Sequence, residues 1–280
     1  MKSITYLVLP FLLMNAQPAE AVDAFKEATI DREQEFAENQ YEGSGEPVVY
    51  LEGTSSFVIT VPHAVKHIRG GSPKDAEIYT GALAKWLHEE TGAHVIYSSE
   101  MTEDPHDNRN SDFKDKLADV VNSHDIEMVV DLHGASGSRD FDIDLGTMSG
   151  GSVSRQVIGH LRASLQEAGV EDVKENHTFT ADSPLTITNY AYTELQVPAV
   201  QIEINQAFRD PRSDITSFQQ MYNGLYTFLT MYEAQYFYQT VPFCGDRELS
   251  RAAWKNSYYD SINFQLLNQA YFLPETGCRK

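Results

Sequence analysis

Val129-Val130-Asp131-Leu132-His133-Gly134 reads as a buried strand that ends on a histidine. β-branched and apolar residues dominate it, as they do in strands covered on both faces. Two other stretches share this build: Phe57-Val58-Ile59-Thr60-Val61-Pro62-His63 and Ala199-Val200-Gln201-Ile202-Glu203-Ile204-Asn205. A buried strand rarely carries a histidine or glutamate unless that group is paired, ligated or catalytic. Helical patterns separate the three strands, which predicts an α/β layered fold with a mostly parallel central sheet. In such a sheet the active site lies at the carboxyl ends of the strands. His63 and His133 both fall there.

The intervening segments fill in the layers. Residues 48–51 and 57–61 read as strands joined by a turn at Glu52-Gly53-Thr54. Residues 76–90, 112–123, 153–168 and 213–232 have helical periodicity, and 94–97 forms a short strand. The domain expected to carry the chemistry spans residues 46–235. Before it, residues 22–45 are polar and acidic and read as an N-terminal arm with at most one helix. After it, residues 236–280 are rich in Tyr, Phe, Asn and Gln and read as a C-terminal extension.

The first residues resemble a targeting segment. Lys2 precedes an apolar run from Ile4 to Met14, and Ala19-Glu20-Ala21 fits a cleavage site. The run is too short for a comfortable membrane span. A secretory signal over residues 1–21 and a secreted or periplasmic mature protein are therefore expected, with no stable membrane span after cleavage. Cys244 and Cys278 agree with export and are expected to close the C-terminal extension as a disulfide. The formal charge of −20, from 41 acidic and 21 basic residues, excludes nucleic acid as an expected partner.

Two histidines at strand ends suggest a metal. Catalytic zinc takes three protein ligands from His, Glu or Asp and keeps a position open. The third ligand has candidates in Lys74-Asp75-Ala76-Glu77, although acidic residues also gather at helix starts for dipole reasons. Strand alternation gives Glu203 one face with Gln201 and Asn205. A glutamate there is a candidate general base; the bland alternative is a buried ion pair with Arg209 or Arg212. His67 lies in a predicted loop closed by Gly70-Gly71 and is a pocket residue at most. Arg109, in Asp107-Asn108-Arg109-Asn110, and Arg139, after the glycine-rich loop, are candidates to clamp a carboxylate or stabilise an oxyanion. Arg69, Arg209 and Arg212 are placed less well for this. The other histidines, His88, His94, His106, His124, His160 and His177, read as surface or satisfied groups.

The motifs Val61-Pro62-His63-Ala64, Lys74-Asp75-Ala76-Glu77-Ile78-Tyr79-Thr80-Gly81, Asp131-Leu132-His133-Gly134 and Gln201-Ile202-Glu203-Ile204-Asn205 resemble those of the N-formylglutamate amidohydrolase family. The resemblance covers residues 48–232. It implies a three-layer phosphorylase/hydrolase-like (zinc carboxypeptidase-like) fold, with a mostly parallel or mixed sheet. It implies zinc held by His63, His133 and an acid between them, Glu77 first and Asp75 second. It implies Glu203 as general base or acid and Arg109 for oxyanion or carboxylate binding. The residues' own placement adds Arg139, His67 and Asn108 or Asn205 as candidates around the substrate. The implied substrate is a small N-acyl amino acid or a short peptide. A secreted carboxypeptidase and a non-catalytic binding protein on the same fold are the alternatives.

Overall fold

The computed structural model describes residues 19–240, with side chains through residue 232. Val22–Tyr236 form one compact unit. Residues 1–18 of the expected signal, both cysteines and nearly all of the expected C-terminal extension lie outside the described residues, while Ala19-Glu20-Ala21 opens the first helix. None of the described helices is long and apolar enough to cross a membrane.

The described residues begin with helix α1 (Ala19–Ala37) and a short 3-10 turn, then strands β1 (Gly43–Leu51) and β2 (Phe57–Val61). A hairpin of β3 (His67–Arg69) and β4 (Ser72–Lys74) follows, then α2 (Thr80–Thr91), β5 (His94–Glu100), α3 (Asp112–Ser123) and β6 (Met128–Ala135). The second half holds β7 (Ile143–Gly146), α4 (Arg155–Glu167), β8 (Val173–Glu175), α5 (Ile187–Thr193), β9 (Ala199–Asn205), the short α6 (Gln206–Arg209) and α7 (Ile215–Thr240).

Seven strands form one sheet in the order β1-β5-β2-β6-β9-β7-β8. The central four, β5, β2, β6 and β9, are parallel. β1 pairs antiparallel with β5, and β7 antiparallel with β9, so the sheet is mixed. The expected α/β fold is the one found.

Helices cover both faces, giving three layers. On one face Phe57, Ile59, Val61, Met128, Val130, Leu132, Val200, Ile202 and Ile204 pack with α1, α2, α4 and α7. On the other, Val58, Ile96, Val129 and Ala199 pack with α3 and α5. Side chains alternate along a strand, so each strand feeds both cores. Local chemistry starts these helices: Ser111 accepts from the Lys114 amide, Ser154 from Val157 and Thr186 from Asn189.

Residues 22–37 are no loose arm. α1 buries Phe25 and Phe36 in the main core. Phe36 lies flat on Gly81 of α2, where any Cβ would stand 2.4 Å from the ring. Helix α2 starts four residues later than its periodicity predicts, because Tyr79 before it is left-handed (φ 68°). His67 lies on a hairpin strand rather than in a loop.

Candidate metal centre

The face covered by α3 and α5 is apolar at the amino ends of the strands and polar at their carboxyl ends. After Val58, Val129 and Ala199 come Thr60, Asp131, His133, Gln201, Glu203 and Asn205, all buried. Register sets them in rows across the sheet. Thr60, Asp131 and Gln201 are level, and His133 is level with Glu203. On the far side of Glu203 lies Asp144 of β7. Thr60 donates to Asp131 Oδ1 at 2.8 Å, and Gln201 Nε2 to Glu203 Oε1 at 2.8 Å.

His63, Glu77 and His133 converge above these rows. His63 Nδ1 lies 3.2 Å from His133 Nδ1 and 3.0 Å from Glu77 Oε1, and His133 Nδ1 lies 3.3 Å from Glu77 Oε2. A tetrahedral cation with ligands at about 2.0–2.1 Å needs donor atoms roughly 3.3–3.4 Å apart. The three groups therefore fit one divalent cation. Two backbone bonds hold Glu77 there. Its amide donates to the His63 carbonyl (2.9 Å), and its Oε2 accepts from the Gly134 amide (2.8 Å). Glu77 sits in the loop before α2, not on the helix, so a helix dipole does not explain it. Asp75, the second choice, is exposed.

Each histidine has a carboxylate on its other nitrogen. His63 Nε2 bonds Asp104 Oδ1 at 2.8 Å. His133 Nε2 lies 3.2 Å from Asp131 Oδ2, an ionic contact too oblique for a good hydrogen bond. Such partners fix the ring and raise the basicity of the ligating nitrogen. His106 Nε2 shares Asp131 Oδ2 at 3.3 Å, and its ring packs edge-on to His133. Arg69 holds the other oxygen of Asp104.

The charges balance in the site's favour. Burial pushes the Glu77 carboxyl up, but His63 and His133 outweigh it and hold it well below the usual range. Burial also opposes ionisation of Asp131 and Asp104, and the neighbouring histidines win in both cases. Three ionised carboxylates thus surround the two imidazoles, a negative potential suited to a dication. Glu203 behaves differently. Burial dominates there and pushes it up to about 7, with Glu77 adding to the rise. It is 5% exposed and makes no ion pair among the described residues. The bland alternative is not realised: Arg212 pairs with Asp210, and Arg209 is spent on backbone carbonyls.

Of the remaining expected residues, His67 belongs to the cluster. Its ring stacks on His63 at 4.0 Å, and burial pushes its pKa down to about 4, so it is neutral. Arg139 lies on the loop after β6 with its guanidinium 5.2 Å over the Phe179 ring. Three expected residues are engaged by other groups of the chain. The Arg109 side chain is 66% exposed and ion-paired with Glu194, since its loop turns outward before α3. Asn108 spends its side chain on the Asn110 amide. Asn205 donates to the Arg139 and Phe141 carbonyls and accepts from Ala207, so it ties down the chain around the site.

No protein-family pattern matches the chain, and no curated protein matches it. Solved structures do. N-formylglutamate amidohydrolase from Ralstonia eutropha JMP134 matches at 14% identity and TM-score 0.46, over 70% of this chain and 99% of that one. The chain is similar to N-formylglutamate amidohydrolase. A bacteriophage poly-gamma-glutamate hydrolase matches at 18% identity and TM-score 0.46, over 71% and 93%. A metallo-carboxypeptidase from Burkholderia cenocepacia matches at 11% identity and TM-score 0.42, over 73% and 68%.

Sequence reasoning passed over Asp104, read His106 as a surface or satisfied histidine although it lies against His133 and Asp131, and quoted Asp131 without a role. Asp131 carried a usable signal, a charged residue within a buried strand run. Asp104 and His106 sit in the irregular Glu103-Asp104-Pro105-His106 stretch, where nothing local marks them.

Proposed function

We propose that this protein is a zinc-dependent hydrolase that cleaves the amide bond of an N-acyl amino acid or a related small, carboxylate-bearing substrate. The observation that carries the reading is the triad of buried His63 and His133 with half-buried Glu77, and Glu203 one strand away. Two imidazoles and one carboxylate are a donor set typical of catalytic zinc. A bound zinc would supply Lewis acidity, lowering the pKa of water and polarising an acyl oxygen.

The chain's own groups do the rest. Asp104 and Asp131 hold the ligating imidazoles in register. Glu203 accepts a proton at its carboxylate from the attacking water and returns it to the leaving amine nitrogen. Gln201, bonded to Glu203 Oε1, fixes its orientation. Arg139 carries no acid partner among the described residues, although acidic groups outnumber basic ones. It is the guanidinium assigned to the substrate carboxylate. Export through residues 1–21 belongs to the same proposal and is checked by fractionation.

The test is a panel of N-acyl amino acids and short peptides, with the mature protein assayed before and after zinc removal. Chelator-sensitive amide hydrolysis that is absent from His133→Ala supports the reading. Turnover that survives both treatments ends it. Preference for peptides over N-acyl amino acids would move the substrate class to a carboxypeptidase.

A further inference from the structure

The peptide unit joining Ile78 to Tyr79, immediately after Glu77, is gripped from both sides by buried charged residues. Its carbonyl accepts from Arg209 Nη1, and its amide donates to Glu33 Oε1 at 2.7 Å. Glu33 comes from α1 and is 3% exposed; Arg209 comes from α6 and is 5% exposed. Neither charge meets the other in an ion pair, and neither is hydrogen-bonded to the triad, although the Arg209 guanidinium feels the charges of Glu77 and Glu33.

Each is costly to keep. Glu33 Oε2 makes no well-formed hydrogen bond, with only the Ala82 amide at the start of α2 acting on the carboxylate from that side. Burial pushes the Glu33 carboxyl up to about 7, against the pull of the Tyr79 amide and the Tyr41 hydroxyl. The Arg209 guanidinium spends its donors on three carbonyls from separate elements: Ile78, Ala135 at the end of β6 and Ile204 in β9. It fits only because Gly134 has no side chain; a Cβ there would stand 2.5 Å from the guanidinium carbon. The same Gly134 amide donates to Glu77 Oε2.

The clamped residue is itself strained. Tyr79 has φ 68°, a left-handed conformation that bulky residues avoid. Such a conformation persists only where the surroundings over-determine it. Relaxing it would swing the chain at Glu77, whose carboxylate must sit about 3 Å from two imidazole nitrogens.

We propose that Glu33 and Arg209 are positioning residues that hold the Ile78–Tyr79 peptide, and through it Glu77, in ligating geometry. The N-terminal helix α1 is then part of the metal site's support, not an accessory to the fold. This inference rests on the proposed metal site.

The experiment measures zinc affinity of the folded protein by competition with a chromophoric chelator, with thermal unfolding alongside. Glu33→Ala is expected to weaken zinc binding about 10–100-fold, the usual cost of losing a ligand's support. Glu33→Gln keeps an acceptor oxygen for the Tyr79 amide and is expected to restore most of that affinity. Phe25→Ala, a packing change on the same helix, is expected to lower the unfolding temperature and leave zinc affinity within about twofold. Arg209→Lys cannot bridge three carbonyls and is expected to fall with Glu33→Ala. Wild-type zinc affinity in Glu33→Ala, or an equal loss in Phe25→Ala, overturns the proposal. If Glu33→Ala does not fold, hydrogen exchange on wild type decides. The Tyr79 amide is expected to be protected like the amides of β6; exchange at the rate of an open loop overturns the clamp. A wild-type protein that binds no zinc would instead defeat the functional reading.

Discussion

The two faces of the central sheet are built from the same strands and do different work. Toward α1, α2, α4 and α7, every inward residue of β2, β6 and β9 is apolar from one end to the other. Toward α3 and α5, the strands begin apolar and turn polar halfway, at Thr60, Asp131 and Gln201. The first face excludes water and supplies stability, except at Gly134, where the Arg209 guanidinium is seated. The second gives up part of that burial to hold His133 and Glu203 rigidly. A strand anchored by apolar contacts on its back is a stiffer mount for a ligand than a loop.

The largest contrast comes from one substitution on each face. His133→Ala is expected to abolish metal binding and amide hydrolysis while the protein stays folded. Ile202→Ala, one residue from Glu203 but on the other face, is expected to lose about 2–5 kcal/mol of stability and keep its metal. Denaturant unfolding and metal analysis on both variants check the pair; reversed outcomes would break the division of labour.

Next in size, Glu203→Gln is expected to lower kcat by about 10²–10⁴ and to leave metal content intact. Loss of metal along with activity would make Glu203 a ligand and remove its role as proton carrier.

Asp104→Asn and Asp131→Asn test the groups behind the ligands. Each is expected to weaken metal affinity about 10–100-fold, with a smaller effect on folding. Equal affinity in both variants and wild type would reduce these carboxylates to ordinary buried polar groups.

A subtler readout is the titration of Glu203. In cation-free protein its carboxyl is pushed up to about 7 by burial. A bound cation favours the ionised form, so loading the site is expected to lower that pKa. Isotope-edited NMR of the glutamate carboxyls follows the shift, and a rise on loading would contradict the geometry.

The smallest effect is expected at Arg109. Its exposed pair with Glu194 predicts that Arg109→Ala changes stability by less than about 1 kcal/mol and leaves turnover unchanged. A large loss of turnover would return it to the site.

How much of this was legible in the sequence follows from where each signal is stored. His63, His133 and Glu203 stand out because each is the odd residue in a β-branched run, and strand period alone puts Gln201 beside Glu203. Helix α3 was legible to the residue because Ser111 caps it locally. Glu77 was one of two acidic candidates and was ranked above Asp75 only through the family resemblance, since its place depends on the Gly134 amide, 57 residues away. Asp104 owes its role to contacts with His63 and Arg69, 41 and 35 residues away, and no local pattern encodes them. Glu33 hid in an acidic stretch that reads as solvated; only the fold shows it buried against Tyr79. Arg109 is ambiguous for the opposite reason: an Asn-Arg pair in a polar loop looks the same whether the loop turns in or out.

The central claim is that His63, Glu77 and His133 hold one divalent cation beside Glu203. Anomalous diffraction from zinc-loaded crystals tests it most directly. The account predicts a single peak about 2.0–2.2 Å from His63 Nδ1, His133 Nδ1 and a Glu77 carboxylate oxygen. A peak on His106 and Asp131, a peak on His67 and Asp104, or no peak in the cluster would contradict it.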